Sequence, residues 1–169
     1  MSAVAVIDSL EFARAGQVLR GSLPVAGLKR LEDGLFDSQG TLGYKLSGGL
    51  DELSRPRLEL KIEGPLHLQC QRCLDRLDYA VDVSTSLLVL PEGRLPPEDI
   101  DDPESPDTID ASAELDVAAL IEDEVVLSLP LAPRHPEGMC AGRPKQHDEG
   151  AERASAFAQL AALKQPNNR

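Results

Sequence analysis

Apolar and polar positions alternate through much of the first half of the chain. In Arg57–Glu63, Leu58, Leu60 and Ile62 fall on one face, and Arg57, Glu59, Lys61 and Glu63 on the other. That period of two predicts a half-buried strand. Thr41–Leu46 repeats it, with Leu42, Tyr44 and Leu46 set against Thr41, Gly43 and Lys45. Gly64-Pro65 predicts a turn, after which Leu66, Leu68 and Cys70 alternate with His67 and Gln69 as a hairpin partner. Leu77, Tyr79, Val81 and Val83 continue the alternation, and Ser86–Leu90 is apolar enough to be buried. Upstream, Asp8 with Glu11 predicts a capping box opening a short helix, Ser9–Ala15, that Gly16 ends. Gln17–Val25 reads as extended, and Leu28–Leu31 as one helical turn before Asp33-Gly34.

The period then changes. Over Glu114–Leu129, Val117, Ala118, Ile121, Val125 and Leu129 share one stripe at about 100° per residue, the mark of an amphipathic helix. Leu120 and Leu127 fall among the acids Asp116 and Asp123, so the helix is expected to contact protein on two sides, and Pro130 and Pro133 stop it. Residues 151–164 predict a last small helix with Phe157, Leu160 and Ala161 inward. The expectation is a single α+β domain over residues 1–169: a curved antiparallel sheet with a few packing helices.

Charge singles out one stretch. Of a net −12 over 169 residues, the window 92–114 carries −8, from nine acids and one base, together with Pro96, Pro97, Pro103 and Pro106. Such a segment buries too little apolar area to offset its ordering entropy, and predicts a flexible, disordered acidic Pro-rich loop. The rest of the chain is only mildly acidic. Bulk charge excludes a protein that coats nucleic acid, and five aromatics with no Trp exclude an aromatic stacking platform. No stretch approaches the ~20 apolar residues of a membrane span, and the short apolar start lacks a basic flank. A cytoplasmic protein with no membrane association is expected.

Cys70-Gln71-Arg72-Cys73 at a bend between strands is the sharpest local feature. Two thiolates so spaced can grip one zinc ion but fill half a tetrahedral shell. Cys140 offers a third thiolate and His135 a fourth ligand, with His147 as the spare candidate. Alternatively the thiols bind no metal. A thiol oxidoreductase would place its Cys-x-x-Cys where a strand enters a helix, not between two strands. Glu122-Asp123-Glu124 reads as a solvated helix face; no phosphate-cradling glycine motif occurs. Neither an enzyme nor a small-molecule substrate is expected. Arg57, Lys61, Arg72 and Arg76 could meet a few phosphates if they share a face; the plainer alternative is an ordinary polar sheet face.

Three segments together resemble a known family: Leu68–Leu74 around the two cysteines, Leu115–Pro133 followed by His135 and Cys140, and Phe157–Lys164. In this order and spacing the chain is similar, over essentially its whole length, to the bacterial large ribosomal RNA subunit accumulation (YceD) family. The resemblance implies a non-enzymatic ribosome-biogenesis factor supporting synthesis, processing or stability of 23S rRNA. Its partner would be that RNA or a large-subunit precursor particle, reached directly or through a ribosomal protein. It also implies a zinc site, completed in many relatives by a second Cys-x-x-Cys, of which this chain keeps Cys140 with His135 nearby. The competing expectation is a zinc-knuckle adaptor whose acidic loop, or Leu120 and Leu127, engages a basic protein.

Overall fold

A computed structural model describes residues 5–91 and 107–140. Asp8 caps α1 (Ser9–Arg14) by accepting the Glu11 N–H at 2.8 Å. The chain then enters β2 (Val18–Pro24), following the two-residue β1 (Val6–Ile7). Two 3-10 turns, Val25–Gly27 and Lys29–Gly34, bring Val25, Leu28 and Leu31 into the core. β3 (Thr41–Leu50), β4 (Pro56–Gln69) and β5 (Arg76–Leu90) are long strands, and β6 (Asp107–Asp110), β7 (Leu115–Asp116) and α2 (Val117–Ser128) follow. The main sheet has the order β2-β3-β4-β5-β6, and β1 pairs with β7 in a separate two-stranded sheet.

Leu42, Leu46, Leu58, Leu60, Ile62, Leu66 and Leu68 line one face of the main sheet, and Phe12, Ala13, Val117, Ile121 and Val125 join them from the two helices. The core is aliphatic apart from Phe12, and the alternation of its strand residues is what their period of two demanded. Gly48 sits under α1, where a Cβ would come within 2.3 Å of the Phe12 carbonyl oxygen. A side chain there would push the helix off the sheet.

The structure corrects four expectations. Gly64-Pro65 does not turn the chain: β4 runs straight through it, Gly64 opposite Val81 and Pro65 opposite Ala80. Gly64 takes φ +153° where a Cβ would meet the Thr41 carbonyl oxygen at 2.8 Å. Pairing with β3 has already ended at Gly43↔Glu63, so Pro65 is paired on the β5 side alone, a position that tolerates a missing N–H. The hairpin turn falls instead at the cysteines.

Second, the sheet is mixed, because β6 pairs with β5 in parallel, Leu87 opposite Asp107 through Leu90 opposite Asp110. That strand lies in the acidic window expected to be loop. Ile109 packs against the core, and an edge strand bonded by its backbone tolerates acids on its other positions. Third, α2 begins at Val117 rather than Glu114. Asp116 accepts the N–H groups of Ala118 and Ala119, and Leu115–Asp116 is spent on pairing with β1. Fourth, Leu120 is buried in the core, whereas Leu127 is 79% exposed. The buried arc of α2 is wider than the apolar stripe alone implied. Residues 92–106 and the expected helix 151–164 lie outside the described residues.

Candidate metal centre

The β4–β5 hairpin keeps unbroken register from Arg57↔Leu88 to Gln69↔Arg76 and delivers the chain to a tight turn at Cys70–Asp75. Cys70 N–H donates to the Asp75 carbonyl at 3.0 Å, and Leu74 N–H to the Cys70 carbonyl at 2.9 Å. Leu74 closes the turn at φ +64°, in the left-handed region that costs a branched residue about 1 kcal/mol or more. Cys70 is buried and Cys73 half-buried, both with free thiols. The Cys-x-x-Cys therefore sits on a strand-to-strand turn between β4 and β5, not where a strand enters a helix.

Pro130 ends α2, and the following segment folds back onto this turn. Gln71 N–H donates to the Pro133 carbonyl at 2.8 Å, and the Arg72 guanidinium donates to the His135 carbonyl at 3.2 Å. His135 Nε2 lies 2.9 Å from the Arg76 carbonyl oxygen. A carbonyl only accepts, so Nε2 carries the proton and Nδ1 presents its lone pair to the thiols.

The donor atoms of Cys70, Cys73, His135 and Cys140 all lie within 4.8 Å of one another. Cys70 Sγ to Cys140 Sγ is 3.8 Å, Cys73 Sγ to His135 Nδ1 is 3.4 Å, and Cys140 Sγ to His135 Nδ1 is 3.9 Å. A tetrahedral zinc shell, with Zn–S near 2.3 Å and Zn–N near 2.0–2.1 Å, has S···S edges of about 3.8 Å and S···N edges of about 3.5 Å. The residues fit such an ion in number, in donor chemistry and in spacing, with the imidazole already oriented by its second nitrogen.

Electrostatics point the same way. Burial acts to push the Cys70 thiol up, but the backbone N–H groups of Cys73, His135 and Arg72 and the Cys73 side chain outweigh it, bringing its pKa to about 5. At Cys73 the Asp75 N–H draws the pKa down, yet burial and the neighbouring Cys70 and Cys140 thiols prevail and push it up to about 11. The turn thus stabilises one thiolate and resists a second. A divalent cation at the centre removes that resistance, because it supplies the charge the crowded sulfurs lack.

The family model described as "Large ribosomal RNA subunit accumulation protein YceD" matches residues 58–164, well over half of the chain. The chain belongs to the YceD family. No curated protein and no solved structure matches it. The YceD match opens in β4 and includes all four donors, but α1, β2 and β3 precede it, which narrows the expected whole-length resemblance. What the family name states is a role in accumulation of large-subunit ribosomal RNA.

The other expected contact residues scatter. Arg57 is bound to Glu59 at 2.7 Å and Arg76 to Asp78 at 2.6 Å, while Arg72 serves the His135 carbonyl. Arg57 and the cysteine turn stand at opposite ends of β4, twelve residue steps apart, roughly 40 Å at strand rise. Arg57, Lys61, Arg72 and Arg76 do not form one cluster. The Glu122-Asp123-Glu124 run is not merely solvated. Glu122 accepts the Arg30 N–H, Asp123 pairs with the Arg30 guanidinium, and Glu124 bonds the Thr85 hydroxyl. His67 is remote in function too: its Nδ1 lies 2.7 Å from Asp37, a bond that heads the causes holding the Asp37 carboxyl below its usual range. His147 lies outside the described residues.

Proposed function

We propose that this protein is a non-enzymatic cytoplasmic factor of ribosome biogenesis, supporting synthesis, processing or stability of 23S rRNA. It acts on that RNA or on a large-subunit precursor particle, and its Cys70, Cys73, His135 and Cys140 hold zinc as a structural clip. The observation that carries the reading is the YceD match over residues 58–164, which contains the whole donor set. Thiolate and imidazole donors suit zinc over the oxygen-seeking divalent ions. The ion would supply no turnover here; it would fix the segment after α2 onto the hairpin.

Depletion of the protein should lower 23S relative to 16S rRNA, and re-expression should restore the ratio. A balanced loss, or none, overturns the reading. Zinc quantification on protein purified without added metal should give close to one ion per chain.

The adaptor reading keeps one specific support. Leu127 and Leu131 are exposed, at 79% and 105%, on the last turn of α2 and just beyond it. Leu127→Lys should abolish capture of a ribosomal protein without altering the fold if that surface is used.

A further inference from the structure

Strand register puts together three cations that the sequence separates. Arg20 on β2 lies directly opposite Lys45 on β3, and Lys45 directly opposite Lys61 on β4. All three are exposed, on the sheet face away from the core. Adjacent strands stand about 4.8 Å apart, so the row reaches across about 10 Å. Like charges set directly opposite one another destabilise a sheet. None of the three forms an ion pair among the described residues.

The surroundings leave the charge available. Along their own strands Arg20 and Lys45 are flanked on this face by Val18, Ser22, Gly43 and Ser47, with no carboxylate. The acids lie beside Lys61, as Glu59 and Glu63, and Glu59 is held by Arg57. A groove of about 430 Å³ runs over the row, with Gly43 lining it and Glu63 at one side. A second groove, of about 300 Å³, shares Lys45 and Lys61 and adds Ser47, Ser84 and Ser86, with Glu59 also lining it. A chain of net −12 thus keeps a repelling row of cations next to neutral hydrogen-bond donors.

We propose that this row is the surface that takes the phosphate backbone of RNA, with Arg20 and Lys45 as its principal contacts. Neighbouring phosphates of one strand would face the row, replacing cation–cation repulsion with attraction and releasing counterions. The proposal rests on the ribosomal-RNA reading above and names the contact surface within it. Arg20 and Lys45 precede the residues matched by the family model, so the family name assigns them nothing.

The test uses the full-length, zinc-loaded protein with a 20-nucleotide polyuridine RNA, and polyglutamate as a polyanion without phosphate. Binding should weaken linearly on a log–log salt plot. Lys45→Glu should lower RNA affinity at least tenfold and flatten the salt slope by about 1. Arg14→Glu, on α1, changes net charge equally and should leave affinity within about twofold. Lys45→Glu should at the same time raise the melting temperature, because it places a carboxylate between Arg20 and Lys61. Opposite signs for stability and binding are the signature; a residue with only a structural role would move both together.

RNA affinity unchanged in Lys45→Glu overturns the proposal, as does a fall in melting temperature that tracks the loss of binding. Polyglutamate binding as tightly as RNA also overturns it, favouring an acidic polypeptide as the occupant. If depletion leaves the 23S to 16S ratio unchanged, the ribosomal reading fails whatever the binding assay gives. If the ratio falls but Lys45→Glu binds RNA like the wild type, this surface alone is wrong.

Discussion

Zinc held by Cys70, Cys73, His135 and Cys140, as proposed, should stabilise this fold more than any single surface contact does. Cys73 and His135 are 62 residues apart, and a cross-link across that separation withdraws about 14 cal/mol/K from the unfolded chain, or about 4 kcal/mol at room temperature. Free zinc at about a thousandfold over its Kd gives a similar ~4 kcal/mol by mass action. A chain of this length shifts about 2–4 °C in Tm per kcal/mol, so zinc against chelator should separate the melting curves by roughly 8–16 °C. The assay is thermal unfolding followed by far-UV circular dichroism, with stoichiometric zinc and then with excess chelator. His135→Ala leaves three thiols without their nitrogen ligand and should retain less than half of the zinc-dependent shift. Superposition of the wild-type curves to within about 2 °C would refute both the fit of the donor set and the role assigned to it.

Four further outcomes follow from the packing. Gly48→Ala forces a Cβ to within 2.3 Å of the Phe12 carbonyl and 2.8 Å of the Ala13 Cα, and should cost at least about 1–3 kcal/mol in urea unfolding. Gly49→Ala, with nothing within 4 Å, should fall within about 1 kcal/mol of wild type by the same measurement. Leu120→Ala empties a core position and should cost about 2–5 kcal/mol, whereas Leu127→Ala should change stability by no more than about 0.5 kcal/mol.

Glu124 tests the pH dependence. Burial, with Asp107 and Asp123 nearby, raises its pKa above 4.5 against the lowering effect of the Thr85 hydroxyl. A raised acid stabilises the fold while protonated, and that contribution is lost as pH rises through the folded value. Glu124→Gln should therefore melt higher than wild type at pH 7. The difference should close below about pH 4.5, where both side chains are neutral. An equal gain at every pH would show that charge is not the cause.

The arginines show how far residue spacing carries a site. Arg57, Arg72 and Arg76 look like a basic group when read along the chain, yet two are neutralised by an acid two residues away and the third is bound to a backbone carbonyl. The acid triplet errs in the opposite direction. It reads as solvated, but Arg30 reaches it from 92 and 93 residues away, a distance no local pattern reports. The candidate metal donors were legible as residue types, because few side chains bind a soft cation and this chain has three cysteines.

Composition and periodicity by themselves settled the aliphatic sheet face, the capped first helix and the candidate thiols Cys70 and Cys73 on a strand-to-strand bend. These depend on local backbone geometry, which a period of two or of 3.6 records directly. Tertiary structure alone decided that β4 passes through Gly64-Pro65, that β6 joins the sheet in parallel, and that His135 meets Cys73. It also set Arg20, Lys45 and Lys61 in one row. Those outcomes depend on register between strands distant in sequence, and a shift of one residue would turn the same side chains to the other face. The chain states which residues alternate, and only the pairing states which of them meet.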